Sequence, residues 1–213
     1  AMTAVFGTTG TNPDPFYGNT PQVQFFNSPR LDFTFVIPST ETGDEDFRIP
    51  LTGSYSGTGT ATFSVLTPDS SVPTVTSITT NNPETTYKNT TGSDATIVIS
   101  IAVTGSHYFT ALGSINQWKG NEFLTEVSTT NTSNWGLGIN GSNPALTSLS
   151  YGFYQASKLT VVPTQIPSTV TDLSYTFRSA LLFNQNINSW TTTNVTDMTG
   201  LFMTALEIGR AHV

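Results

Sequence analysis

A chain of 213 residues with 10% charged side chains and a formal charge of −7 has room for one large or two small domains. Its seven Lys and Arg are too few and too scattered to form the basic stripe that phosphates require, which argues against nucleic acid. With no cysteine and two histidines, a zinc site would need mostly carboxylates, and the compartment is left open.

Thr, Ser, Asn and Gly supply most of the polarity, the composition of β-structure and turns. A hydrophobic content of 36%, with 14 Phe and 7 Tyr, is enough to fill a core rather than leave the chain disordered. No run approaches the roughly 18 apolar residues of a membrane span; ATIVISIAV is strand-length. AMTAVFG shows no signal peptide, and an Ala ahead of the Met points to a natural start upstream.

Residues 1–28, with the text TTGTNPDPFYGNTPQ, read as a linker or disordered arm. Over residues 29–113 the rhythm is period two. LDFTFVI puts Leu31, Phe33, Phe35 and Ile37 on one face; TATFSVL does so with Ala61, Phe63 and Val65; TIVISIAV with Ile97, Ile99, Ile101 and Val103. Alternation of this kind marks strands with one buried face. Turn-rich text (STETGDED, TGSYSGTG, NNPETTYKNTTGSD) separates the runs. About six short strands without helical pattern predict an antiparallel β-sandwich, Ig-like in style.

Residues 114–206 read as a repeat region with an N-terminal cap, the copies starting at Leu146, Val170 and Val195. Leu149, Leu173 and Met198 share a column, as do Phe153, Phe177 and Phe202, and Ala156, Ala180 and Ala205, at offsets of 24 and then 25 residues. The apolar spacing i, i+4, i+7 within each copy predicts a short helix. Ser150, Ser174 and Thr199 stand where a hydroxyl caps a helix start. Ile166 and Trp190 occupy a column after it. The period lies within the roughly 20–29 residues of leucine-rich repeats, so a solenoid is expected.

The text VTDLSYTFRSALLFNQNINSWTTTNVTDM, with its apolar, FNQ and Trp positions in phase, resembles the BspA-type leucine-rich repeats of microbial surface proteins. IPSTVTDLSYTF and INQWKGNEFLTEV look like the cap region of that family. The resemblance implies a β-domain feeding repeats, display on cells, and adhesion or protein recognition. It transfers scaffold positions (Leu149, Phe153, Ala156, Leu173, Phe177, Ala180, Trp190, Met198, Phe202 and Ala205) and no binding residues. Where the pattern calls for another FNQ, residues 207–213 read EIGRAHV, which looks like the in-frame translation of a sequencing adapter. They are expected to be non-native, and the repeat array truncated.

Signs of catalysis are sparse. His107 is a lone histidine near a strand end, His212 lies in the suspect tail, and no GxSxG-like text supports a nucleophile. Asp44, Glu45 and Asp46 lack the alternating spacing of a calcium loop and read as a solvated turn. Asp172 and Asp197 share a column with Ser148, which suits turn bonding. Asn89, Asn131, Asn140 and Asn194 head N-x-[ST] sequons open to glycosylation in a secreted eukaryotic protein. Trp118, Trp135 and Trp190 read as core or cap residues rather than sugar platforms. Thr147, Thr171 and Thr196 form one column, short of the paired array an ice-binding face needs.

The expectation is a non-enzymatic binding or adhesion protein, secreted or on a cell surface. It would need no cofactor or metal, and its partner would be a surface protein or a glycan. The alternatives are a structural fibre or shell component, and an accessory region of a carbohydrate-active enzyme whose catalytic domain lies elsewhere.

Overall fold

The computed structural model describes residues 29–54, 58–70 and 74–208. The expected arm over 1–28 and most of the tail, 209–213, lie outside them. Eleven strands are present among the described residues: β1 (Arg30–Ile37), β2 (Asp44–Arg48), β3 (Leu51–Ser54), β4 (Ala61–Leu66), β5 (Thr74–Ser77), β6 (Glu84–Lys88), β7 (Ala95–Val103), β8 (Tyr108–Leu112), β9 (Leu124–Thr129), β10 (Ile139–Asn140) and β11 (Asn143–Pro144). One 3-10 turn, Asn121–Phe123, precedes β9.

The period-two text supplies β1, β4 and β7, the middle of a five-stranded antiparallel sheet in the order β5-β4-β7-β1-β9, whose edge strands β5 and β9 come from text without that alternation. Its register sets Leu31 opposite Ile101, Phe33 opposite Ile99 and Phe35 opposite Ile97. On the next strand Phe63 faces Ile101 and Val65 faces Ile99. These side chains therefore share one face, and all are buried. Burying each contributes about 1.5–3 kcal/mol.

Three two-stranded antiparallel sheets, β2-β6, β3-β8 and β10-β11, complete the β-structure. Phe47 of β2 meets Phe35 edge-on at 5.0 Å, so the β2-β6 pair packs on the apolar face of the large sheet. From β3 and β8, Leu51, Phe109 and Leu112 are fully buried in the same core. That core runs without a break from Leu31 to Trp190.

β8 does a second job. Beyond its antiparallel partner β3, Ala111 bridges in parallel to Ser148, Ser148 to Asp172, and Asp172 to Asp197. The three repeat copies are thereby laid side by side in register. Between copies the bonds are made by alternate N–H groups. Those of Leu149, Tyr151, Phe153 and Gln155 donate to the carbonyls of Asp172, Ser174, Thr176 and Arg178 at 2.8–3.0 Å. Those of Leu173, Tyr175, Phe177 and Ser179 donate to Asp197, Thr199, Leu201 and Met203 at 2.8–2.9 Å.

This bonding overturns the leucine-rich-repeat solenoid with short helices. The described residues from 145 to 208 contain no helix and no strand longer than single bridges; each copy is a series of tight turns. The physical reason is the sign of φ. Tyr151, Gln155, Tyr175 and Ser179 sit at +58°, +56°, +53° and +61°, in the left-handed region, where a right-handed helix cannot continue. Alternate N–H groups are then turned out to the neighbouring copy instead of back to residue i−4. The intervening ones, such as Gly152 to Leu149 at 2.7 Å, close four-residue turns. Ser150, Ser174 and Thr199 consequently cap no helix; Ser150 Oγ and Ser174 Oγ share a hydrogen bond at 2.8 Å. No helix among the described residues is long and apolar enough to cross a membrane.

Ile99 lies at the centre of the large sheet, fully buried between Phe33 and Val65. Ile99→Ala is expected to cost about 2–5 kcal/mol in a urea unfolding curve. A cost under about 1 kcal/mol would place Ile99 outside a packed core.

Candidate recognition surface

The repeat text fixes two kinds of column. The inward one is apolar: Leu149, Phe153, Ala156, Leu173, Phe177, Ala180, Trp190 and Ile166 are all buried. Phe153, Phe177 and Phe202 follow one another at 5.4 and 5.5 Å between ring centres, and Phe183 stacks on Phe177 at 4.0 Å. The last copy is less covered, with Met198 44% exposed and Phe202 and Ala205 half-buried. Trp135 Nε1 donates to the Gln165 carbonyl and Trp190 Nε1 to that of Pro163, both at 2.8 Å, so both indoles are held in the interior.

The outward column begins at the left-handed residues. Tyr151 and Tyr175, in phase at the same place in successive copies, stack at 4.9 Å with 17° between planes. Tyr154 meets Tyr151 edge-on at 5.6 Å. Arg178 lies over both Tyr154 and Tyr175, 5.6 and 5.7 Å from their ring centres. The third residue of the column is Gly200, at φ +60°, and a side chain there would run into the Tyr175 ring. Gly200 therefore lets the last copy close against the tyrosine stack. Trp118 Nε1 donates to the Tyr151 carbonyl at 3.1 Å and ties the stack to the segment after β8.

Arg178 has no carboxylate within ion-pair distance among the described residues. Arg30, Arg48 and Lys119 are paired, to Asp32 at 2.9 Å, to Glu84 at 2.6 Å and to Asp46 at 2.9 Å. Guanidinium over aromatic faces contributes about 0.5–2 kcal/mol and keeps its N–H fork available. Beside this cluster runs an open groove lined by Asn121, Glu122, Gln155, Ser157, Ser179 and Leu181. Asn121 Nδ2 donates to the Tyr154 carbonyl at 2.6 Å and joins groove to cluster. Arg178 and the tyrosines were not among the expected site residues; the in-phase SYGFYQ and SYTFRS text was the available signal.

The remaining polar groups are bound into the framework. Asp172 Oδ1 accepts from the Ser174 N–H at 2.8 Å and its hydroxyl at 2.7 Å, while Oδ2 accepts from Ser148 Oγ at 3.2 Å. Asp197 repeats the turn bond, and the backbone N–H and hydroxyl of Thr199 hold its carboxyl below the usual range. Asp44, Glu45 and Asp46 lie in β2, not in a turn. Hydrogen bonds from Lys119 and Thr86 lower the Asp46 pKa, and the Arg48 guanidinium lowers that of Glu84. Desolvation and neighbouring carboxylates push Glu45 up. No group of three or more His, Cys, Asp or Glu among the described residues could hold a metal ion. His107 is buried just before β8.

The four sequons differ sharply. Asn89 is 5% exposed; its Nδ2 donates to the carbonyls of Ile37, Pro38 and Ser93, and its Oδ1 accepts from Thr91. Asn194 Nδ2 donates to Ser168 at 2.7 Å, and Asn131 Oδ1 holds Ser133. Asn140 is exposed at the β10-β11 turn. Secreted from a eukaryotic host, the folded protein should carry a glycan at Asn140 and none at Asn89, as read by peptide mass mapping. A glycan on Asn89 of folded protein would contradict the buried amide.

Residues 143–210, roughly a third of the chain, match the family model described as "Mycoplasma protein of unknown function, DUF285". No curated protein and no solved structure matches the chain. The similarity covers the repeat copies and gives no sign of BspA-type leucine-rich repeats, so that resemblance is corrected: the repeat text is similar to DUF285, a family whose function is unknown.

Proposed function

We propose that the chain is a non-enzymatic binding protein, secreted or displayed on a cell surface, which recognises a protein or glycan through the Tyr151–Tyr154–Tyr175–Arg178 surface and the groove beside it. We read residues 29–113 as an Ig-like β-sandwich that supports the recognition surface, and residues 114–206 as the part that carries it. The observation that supports this reading is Arg178, held over two tyrosine rings with no carboxylate partner among the described residues. Tyr and Arg dominate the energetics of recognition surfaces because they offer large contact area and directed hydrogen bonds at low ordering cost. A guanidinium already fixed on aromatic rings loses less freedom when a ligand arrives. Gln155, Ser157 and Ser179 add hydroxyl and amide groups of the kind that bind neutral polar ligands.

The test is binding of the purified protein to immobilised glycan arrays and a panel of immobilised extracellular-matrix proteins. Arg178→Ala should weaken the strongest interaction by about tenfold or more, the loss of one hot-spot side chain, with the thermal midpoint nearly unchanged. Indistinguishable binding by wild type and Arg178→Ala on every surface would overturn the reading.

A further inference from the structure

Two cations flank the groove beside the tyrosine stack. Arg178 stands over Tyr154 and Tyr175, and Lys158 Nζ lies 5.4 Å from the centre of the Phe123 ring. The Asn121–Phe123 turn connects them: Asn121 Nδ2 bonds the Tyr154 carbonyl at one end, and Phe123 lies beneath Lys158 at the other. Both cations are half-buried. Neither has a carboxylate within ion-pair distance among the described residues.

The repeat framework does not call for either charge. In the repeat columns Arg178 corresponds to Tyr154 and Met203, and Lys158 to Leu182 and Glu207. The bonds between copies are made by the main chain, so these side chains are free to differ. A cation at each position, fixed on an aromatic face and left without a counter-ion, is a feature of this groove and not of the repeat. The groove wall also holds one carboxylate, Glu122, which lies near enough to Glu45 to act on its charge.

We propose that the groove binds a glycan chain in which some of the sugars carry a carboxylate, a uronate-containing oligosaccharide. This ligand class rests on the recognition role proposed for the same surface. The planar fork of Arg178 matches a carboxylate in two-point contact, and Lys158 adds a point charge. Gln155 and Ser157 present an amide and a hydroxyl to sugar hydroxyls along an open groove, where an internal stretch of chain can lie. Glu122 and Glu45 limit the charge density of the ligand, because like charges brought together are disfavoured. A sulfated chain or an acidic peptide would set several anions against them. A chain with a uronate at alternate sugars puts a carboxylate on Arg178 and a neutral sugar beside Glu122.

The experiment is titration calorimetry of the protein with four probes: a hyaluronan octasaccharide, the same chain with its carboxyls reduced to alcohols, a heparin octasaccharide and a hexaglutamate peptide. Hyaluronan should bind saturably, and carboxyl reduction should weaken it by about tenfold or more. Arg178→Ala should cost about tenfold. Arg178→Lys, which keeps the charge and loses the fork, should cost nearly as much, and Lys158→Ala about threefold. An unchanged thermal midpoint shows that each variant is folded. The proposal is overturned by absent hyaluronan binding, by equal affinity for the carboxyl-reduced chain, by tighter binding of heparin or hexaglutamate, or by full affinity in Arg178→Ala. Arg178-dependent binding of a neutral glycan or a matrix protein, with no uronate chain bound, would leave the recognition role standing and overturn the ligand class alone.

Discussion

The repeat half depends on which way alternate main-chain N–H groups point. Once Tyr151, Gln155, Tyr175 and Ser179 adopt positive φ, four N–H groups per copy leave the segment and must find acceptors elsewhere. The next copy supplies them. Each bond nets about 1 kcal/mol and each left unmade in a buried site costs about 1–3 kcal/mol, so the copies are obliged to lie in register. The 24- and 25-residue offsets in the text are the consequence. The aromatic rings follow passively: with backbones fixed at ladder spacing, Phe153, Phe177 and Phe202 stack inward and Tyr151 and Tyr175 outward.

A ladder needs a starting edge, and the β-region provides it. β8 is bonded to β3 on one side and offers Ala111 and Thr110 to the first copy on the other. β9 joins the same two parts from another direction. It pairs with β1 in the large sheet, and Val127 N–H donates to Val161 at 2.8 Å. Arg178 and its tyrosines thus rest on a framework anchored at two places to a closed core, which gives the half-buried cluster its fixed geometry.

Three strands of the large sheet, β1, β4 and β7, were legible because alternation records burial directly: Leu31, Phe33, Phe35, Ile97, Ile99 and Ile101 appear on the expected face, whereas β5 is exposed throughout and β9 lies in text that read as a repeat cap. β2, β6 and part of β3 were hidden in text that read as turns. They are short and polar, and in β2 Phe47 is the one fully buried side chain, so a period-two signal has nothing to act on. The repeat copies were misread for a different reason. Their i, i+4, i+7 apolar spacing belongs equally to a helical stripe and to a turn-built layer, since side-chain periodicity is silent about where the N–H groups go. Positive φ was announced by Gly200 alone; a tyrosine at that position carries no such signal. The outward tyrosine column was visible as phase in the text, but its pairing with Arg178 depends on a three-residue offset around a bend that only the folded chain displays.

The most direct test of the ladder is through-hydrogen-bond scalar coupling between amide nitrogens and carbonyl carbons in isotopically labelled protein. The account requires couplings from Tyr175 N–H to the Thr199 carbonyl and from Phe177 N–H to that of Leu201, with the matching pair from Tyr151 to Ser174. Couplings from Phe177 N–H to the Leu173 carbonyl instead would mean that each copy is a helix, and the ladder would have to be abandoned.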